Sequence, residues 1–334
     1  ANLESKLQSD KNFRQLWNQF NNFEISEVEL EWSSDEASRV VGGKILNEYG
    51  LSNKFIIGGS ADLAASTKQI ISDNTFGSNN FGGNSIEFGI REHAMGGIVN
   101  GLALHSKLIP YGSTFLVFSD YMRPSMRLAS LMKANSLFIF THDSIYLGED
   151  GPTHQPVEHL MSLRLIPNLD VIRPANSKEL IHSYRYALEK RDNPKAIILS
   201  RQNMKFFDHD VSYKDFQTGA YEFMPGTDIT LIATGSELGL AFEISRKLKD
   251  LSVQIISAPI LNRLNDDRLK SLSLNQNIFT IELGRTIGWD TYIQNIKKSF
   301  SIDSFGESAP IDQLVEKFNF SAEKISDEIR NLLN

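Results

Sequence analysis

The sequence predicts an α/β protein of two doubly wound units with mainly parallel sheets. Three observations carry that expectation. From about residue 31 onward, short apolar runs alternate with helical segments, the order that a parallel sheet with covering helices requires. The apolar runs are continuous rather than alternating, as strands covered on both faces should be. Between Lys205 and Thr227 the pattern lapses into Phe206-Phe207-Asp208-His209-Asp210 and Pro225-Gly226 and then resumes, which divides the chain. The expected units are a linker or residual helix over 1–30, a first domain over 31–205 and a second over 206–334.

Residues 1–30 are polar, with Leu3, Leu7, Phe13, Leu16, Trp17 and Phe20 too loosely spaced to make a core, so these aromatic side chains need another surface to cover them. Ser34 reads as a helix cap, with Asp35 and Glu36 in the first turn and Ala37, Val40, Val41 and Ile45 facing inward. Expected strands follow at Lys54–Ile57, Leu108–Tyr111, Leu137–Thr141, Asp170–Ile172 and Ala196–Ser200. Expected helices are Glu92–Leu104, Asp120–Lys133, Pro156–Arg164 and Ser177–Glu189, the last capped by Ser177. In the second unit, Ile229–Ala233, Val253–Ser257 and Ile278–Ile281 read as strands. Glu237–Leu248, Asp266–Leu272, Trp289–Lys298 and Ile311–Phe318 read as helices.

The chain has 334 residues, 41% hydrophobic and 22% charged, which suits two globular cores. A net charge of −7 without a basic cluster argues against nucleic acid as the main partner, though a few arginines in a pocket can still hold a phosphate. The absence of cysteine excludes disulfides and thiolate chemistry. No apolar run has the length of a membrane span and no signal-peptide pattern opens the chain, so no membrane partner and a cytoplasmic location are expected. The first residue is Ala1 rather than Met, which reads as a segment of something longer.

The stretch Thr141–Pro156 holds two histidines, three carboxylates, two glycines and two prolines directly after an apolar run. Loops of this length and polarity carry function more often than plain connectors do. His142 stands at the carboxyl end of an expected strand, where open α/β sheets place ligands. Gly148 and Gly151 let the loop turn sharply and aim His142, Asp150 and His154 at one point.

Three other strand ends belong to the same edge if the sheet is parallel. One leads into Gly58-Gly59-Ser60-Ala61-Asp62-Leu63 and Ser66, one into Tyr111–Phe115 with Phe118 and Tyr121 beyond, and one into Arg201. Phe115, Phe118 and Tyr121 at a spacing of three read as core by pattern alone, or as an apolar slot for a heteroaromatic ring. Arg201 is either a surface ion-pair residue or a fork for phosphate, and Arg39 is ambiguous by itself. In Glu87–Gly96, Glu92 either complements a helix dipole or is a buried acid for proton transfer. Gly96, Gly97 and Gly101 suggest close packing against another backbone, in this chain or in a second subunit.

Quoted together, Gly58–Leu63, Phe88-Gly89-Ile90-Arg91-Glu92-His93-Ala94-Met95-Gly96, Thr141–Pro156, Ser200-Arg201-Gln202-Asn203, Ala233-Thr234-Gly235-Ser236-Glu237 and Ser304–Pro310 resemble transketolase, the thiamine diphosphate enzyme of the pentose phosphate pathway. The likeness runs from about residue 30 to the end. The family's amino-terminal domain, which holds the diphosphate and a Mg or Ca ion through a Gly-Asp-Gly type motif, has no counterpart here. The resemblance therefore implies the carboxyl-terminal half, either a fragment or a subunit of a split enzyme, with the Thr141–Pro156 match favouring a fragment. Such a half is expected to be inactive alone.

The resemblance also implies roles. Glu92 would hydrogen-bond the aminopyrimidine nitrogen of thiamine diphosphate, Phe115, Phe118 and Tyr121 would hold the pyrimidine, and Asp62 and Leu63 would lie by the thiazolium. His142 and Asp150 would bind substrate hydroxyls, His142 also in catalysis. Arg39, Ser66, His154 and Arg201 would hold the sugar phosphate. The implied partners are sugar phosphates and either a homodimer partner or the missing amino-terminal half. Dihydroxyacetone synthase shares most of these motifs, and 1-deoxyxylulose-5-phosphate synthase normally lacks the His142-Asp143-Ser144 sequence. A non-catalytic dimerisation module would have no use for the full residue set. Tyr146 stands where the family usually has glycine.

Overall fold

The structure, a computed structural model, describes residues 2–22, 24–25, 28–30, 35–71, 74–205, 207 and 209–333. A short strand, β1 (Glu36–Ala37), lies at the rim of the first unit. The main sheet has six parallel strands: β2 (Ile56–Ser60), β3 (Ser85–Glu87), β4 (Ile109–Phe115), β5 (Leu137–Thr141), β6 (Asp170–Ile172) and β7 (Lys195–Ile198). Their spatial order is β3-β2-β4-β5-β7-β6. From β2 the chain goes outward to β3 and then returns to the other side of β2 for β4. The crevice of such a sheet opens at that reversal, outside the carboxyl ends. After β7, β8 (Asn203–Met204) pairs antiparallel with β1.

Helices cover both faces, because strands apolar on both sides must be shielded on both. On one face helices Ser38–Ser52 and Ser177–Glu189 close a core that includes Ile45, Leu46, Ile56, Ile139, Leu180 and Ile197. On the other, helices Glu92–His105, Ser119–Met132 and His159–Arg164 close a second core around Met95, Val99, Met122, Met126, Phe138 and Phe140. Each such side chain contributes about 1.5–3 kcal/mol by leaving water.

The second unit repeats the plan. Strands β9 (Tyr221–Met224), β10 (Ile229–Ala233), β11 (Val253–Ser257), β12 (Asn277–Ile281) and β13 (Ile296–Phe300) lie in the order β13-β12-β10-β11-β9. All neighbours are parallel except β9, which runs antiparallel to β11. Among the described residues no helix is long and apolar enough to cross a membrane.

Several sequence expectations are corrected. Ser34 lies outside the described residues, and Glu36 is not in a helical first turn: it pairs with Met204, and the helix starts at Ser38 with Ala37 as a cap residue that makes no side-chain bond. Ser200 replaces that cap across the chain, its Oγ accepting from Ser38 N at 3.1 Å. The cap of helix Ser177–Glu189 is Asn176, whose side chain accepts from Glu179 N, rather than Ser177. The helix expected from Pro156 begins at His159. Trp289–Lys298 is not a helix but a 3-10 turn, Trp289–Thr291, followed by β13. There Ile296 and Phe300 flank Lys297 and Lys298, and paired lysines suit an edge strand that must not attract another. Strands β3 and β9 and helix Ala322–Leu333 were not anticipated.

The helices Leu3–Ser9 and Lys11–Asn21 of the amino-terminal segment bury no residues. Phe20 finds cover by packing edge-on against Phe55, ring centroids 5.1 Å apart.

Candidate functional site

The carboxyl ends of all six parallel strands share one edge, and every residue expected at the site follows one of them or lies on a helix packed beside them. β2 passes into Ala61, Asp62 and Leu63. Asp62 is exposed in a left-handed turn (φ 62°), and Leu63 N donates to Ser60 Oγ at 3.2 Å. Ser60 in turn donates to Ser113 O of β4 at 3.1 Å, so the first two strand ends are tied side by side.

β4 ends at Phe115, which stacks on Phe118 with centroids 5.7 Å apart and planes 8° from parallel. Phe118 continues the stack to Tyr121 at 5.9 Å. Phe115 is 7% exposed and Tyr121 64%, so the file of rings runs from the core out to the surface. The core reading therefore describes Phe115 but not Tyr121.

β5 ends at His142, whose ring lies 3.7 Å from that of Phe115. His154 completes the cluster edge-on to Phe118 at 5.6 Å. His142 holds a left-handed backbone (φ 61°), a conformation that costs a residue with a Cβ about 1–2 kcal/mol. Its Nδ1 is 2.8 Å from Thr141 Oγ1. Burial, with the Arg39 and Arg201 guanidiniums and His154 nearby, pushes the His142 ring down to about 3, so it is neutral at physiological pH. Gly148 (φ 91°) and Gly151 (φ 84°) make the turns that carry the loop back to His154. Tyr146 lies in a 3-10 turn, Ile145–Leu147, and is not left-handed, which explains why this position needs no glycine.

The basic corner is assembled from three segments. Arg39 Nη1 donates to Ser66 O, and Arg39 N donates to Ser200 O at 3.3 Å, which sets Arg39 beside Arg201. Arg39 Nε is buried without a hydrogen-bond partner. Burial and the charge of Arg201 lower the Arg39 value, and Asp150 opposes them. A buried guanidinium with an unfilled donor and a second guanidinium close by has the chemistry to take an anion.

Glu92 opens the helix that follows β3 and is 8% exposed. Among the described residues its carboxylate has no hydrogen-bond or ion-pair partner in the chain. The helix is held to the ring-bearing elements on two sides: Met95 packs on Gly112 of β4, and Gly96 abuts Ser125 of the helix carrying Tyr121. The close approach expected of the glycines holds for Gly96, whereas Gly97 and Gly101 face open space. Glu92 and Arg201 therefore lie on the same edge, after β3 and β7.

Sequence reasoning missed a buried ionic group beneath this edge. Asp143, Arg164, Arg173, Glu237 and Glu282 are all 4% exposed or less. The available signal was Arg173 directly after β6, the same placement that singled out Arg201. A second gathering, Asp120, Glu158 and His159, puts His159 Nε2 3.1 Å from Asp120 and Nδ1 3.8 Å from Glu158. Only the Asp120 contact is a hydrogen bond, and His159 Nδ1 is buried without a hydrogen-bond partner, the two carboxylates facing opposite nitrogens of one ring.

The family model described as "Transketolase, pyrimidine binding domain" matches residues 37–206, which include every site residue named above, and "Transketolase-like TK C-terminal domain" matches 219–321. The chain belongs to the transketolase family. A transketolase from Staphylococcus aureus (strain MRSA252) is 40% identical over 317 residues, covering 91% of this chain and 48% of that protein. The chain thus spans about half the length of the curated relatives it matches. The transketolase of Pichia stipitis solved in complex with sedoheptulose-7-phosphate superposes with a TM-score of 0.90 at 28% identity, over 98% of this chain and 51% of that one. A split gene transketolase, described as an inactive beta4 tetramer, has a TM-score of 0.72 at 26% identity, over 89% of this chain and 98% of that one.

Proposed function

We propose that this chain forms the pyrimidine-binding and carboxyl-terminal half of a transketolase, which transfers a two-carbon ketol unit between sugar phosphates with thiamine diphosphate. Residues 31–205 are assigned to pyrimidine binding and 206–334 to the carboxyl-terminal domain. The observation that carries the reading is the convergence, at one sheet edge, of an acid with no partner among the described residues, a file of rings reaching the surface and a pair of guanidiniums.

The residues fit the cofactor's pyrimidine end. Phe115, Phe118 and Tyr121 offer flat apolar faces, and Glu92 offers a shielded carboxyl to a ring nitrogen. Asp62 and Leu63 are assigned to its other ring. Bound thiamine diphosphate would supply the carbanion chemistry of ketol transfer. The chain's own residues do the rest. Glu92 would hold or give a proton at the pyrimidine, and neutral His142, with Asp150, would bind sugar hydroxyls. Arg39, Arg201, Ser66 and His154 would take the phosphate, since a dianion wants two forks and neutral donors.

The diphosphate and its Mg or Ca ion are assigned to a companion domain, on a homodimer partner or a separate amino-terminal half. Support for a partner comes from the outer faces of two adjacent helices, where Ile98, Leu104, Leu128, Leu131 and Met132 are exposed beside Gly97 and Gly101. The setting is the pentose phosphate pathway of the cytoplasm.

The test is reconstitution. Alone, the chain should show no ketol transfer and negligible thiamine diphosphate affinity, whereas with a transketolase diphosphate-binding domain it should turn over phosphorylated ketoses. Full activity of the isolated chain, or none in an assembled complex that binds the cofactor, contradicts the reading.

A further inference from the structure

The His142–Gln155 loop is gripped from the second unit at three places. The first is ionic. Arg173, after β6, donates through Nε and Nη2 to Asp143 Oδ2 at 3.1 and 2.7 Å, and Asp143 directly follows His142. On its other side Arg173 Nη1 donates to Thr234 O and Oγ1, each at 3.0 Å, and the guanidinium pairs with both oxygens of Glu237. Thr234-Gly235-Ser236-Glu237 follows β10 of the second sheet. Gly235 is left-handed (φ 55°), and a Cβ there would stand 2.8 Å from Arg173 Cγ, so that turn is shaped around the arginine. Behind it Glu282 accepts from Arg164 twice at 2.7 Å and from Thr234 Oγ1 at 2.6 Å.

The second grip is through the backbone. Gln155 Nε2 donates to Gly148 O and to Glu307 O, both at 2.8 Å, and Ser308 Oγ donates to Glu149 O. A Cβ on Gly306 would lie 1.8 Å from Gln155 Oε1, so any side chain there displaces Gln155 from its present position. The third is apolar: Tyr146 packs into the core of the second unit beside Ile145.

A plain interdomain staple would need none of these partners to sit within one residue of a strained histidine. We infer that the second unit acts at the site by fixing this loop, with Arg173 and Glu237 as positioning residues that act through Asp143 on His142. Its catalytic consequence rests on the transketolase reading. The geometric part does not.

The experiment therefore has two arms. In the full chain, hydrogen–deuterium exchange of Glu237→Gln should show faster uptake in peptides covering residues 142–151 with β2 and β4 unchanged. Gly306→Ala, which forces Gln155 away without touching a charge, should give the same signature and keeps the test open if the first variant fails to fold. Unchanged loop exchange in the folded variants, or a rise spread evenly over both sheets, overturns the inference. In the enzyme assembled with its diphosphate-binding domain, either variant should lower kcat/KM for the sugar phosphate on the order of 10–100-fold, as small misplacements do, with cofactor affinity retained. Wild-type kinetics from a variant whose loop is loosened also overturns the positioning role. Loop loosening together with an inactive wild-type assembly leaves it standing and removes the transketolase reading instead.

Discussion

Phe115 and His142 stack with ring centroids 3.7 Å apart and planes 29° from parallel. They end adjacent parallel strands, so the contact is fixed by the pairing of Phe115 with Thr141. It joins the apolar slot to the polar loop and covers one face of a buried histidine that has no acidic partner among the described residues.

The first prediction concerns its charge. The ordinary histidine value of 6.5 is pushed to about 3 in the folded chain, mainly by burial. Between those values an unfolded chain binds a proton there that the folded chain refuses. Folded stability should therefore fall as pH drops through that window and be free of this penalty above it, by on the order of a few kcal/mol overall. NMR of the ring should show His142 neutral at pH 5, and titration near the ordinary value contradicts the burial argument.

Removing Arg201 should relieve one of the charges acting on both His142 and Arg39. Arg201→Ala is expected to raise KM for phosphorylated sugars by about 10–100-fold in the assembled enzyme, with kcat less affected, the range of a lost charged hydrogen bond. Steady-state kinetics with a phosphorylated and an unphosphorylated ketose separates this from general damage: only the former should respond.

The buried pairs make a stability prediction. Glu282 is fully buried and receives Arg164 through two bonds of 2.7 Å. Glu282→Gln should lower unfolding stability by about 3–5 kcal/mol, because a buried guanidinium loses its counter-charge. Urea midpoints of the single variant, and of Arg164→Met with Glu282→Leu, check it: the double replacement should recover much of the loss.

Tyr146 is half-buried against the second core and has no left-handed backbone that would call for glycine. Tyr146→Gly should cost about 2 kcal/mol of stability through lost packing and give no gain in turnover. A more stable or faster variant contradicts that reading.

Much of this could be seen in the residues themselves. Leu137–Thr141 and Asp170–Ile172 are strands with the expected ends, because an unbroken apolar run leaves little choice for a strand covered on both faces. The shared edge followed from the order of strands and helices alone. What could not be seen depended on tertiary partners. β3 has three residues, too few for a periodic signal. Ile293 and Ile296 suit a helix as well as a turn and strand, and only pairing with β12 decides. Asn176 and Ser177 are neighbouring cap residues, and geometry chose the first. Arg164, Arg173, Glu237 and Glu282 look like surface in sequence, since charge is ordinarily solvated. Their burial follows from how the second sheet meets the first.

The central claim is that Glu92 performs proton work at a bound pyrimidine. The measurement is the turnover number of Glu92→Gln, in this chain assembled with a transketolase diphosphate-binding domain, at saturating cofactor. A fall of about 10²–10⁴ is predicted, the worth of a positioned acid or base. Turnover at the wild-type rate contradicts it.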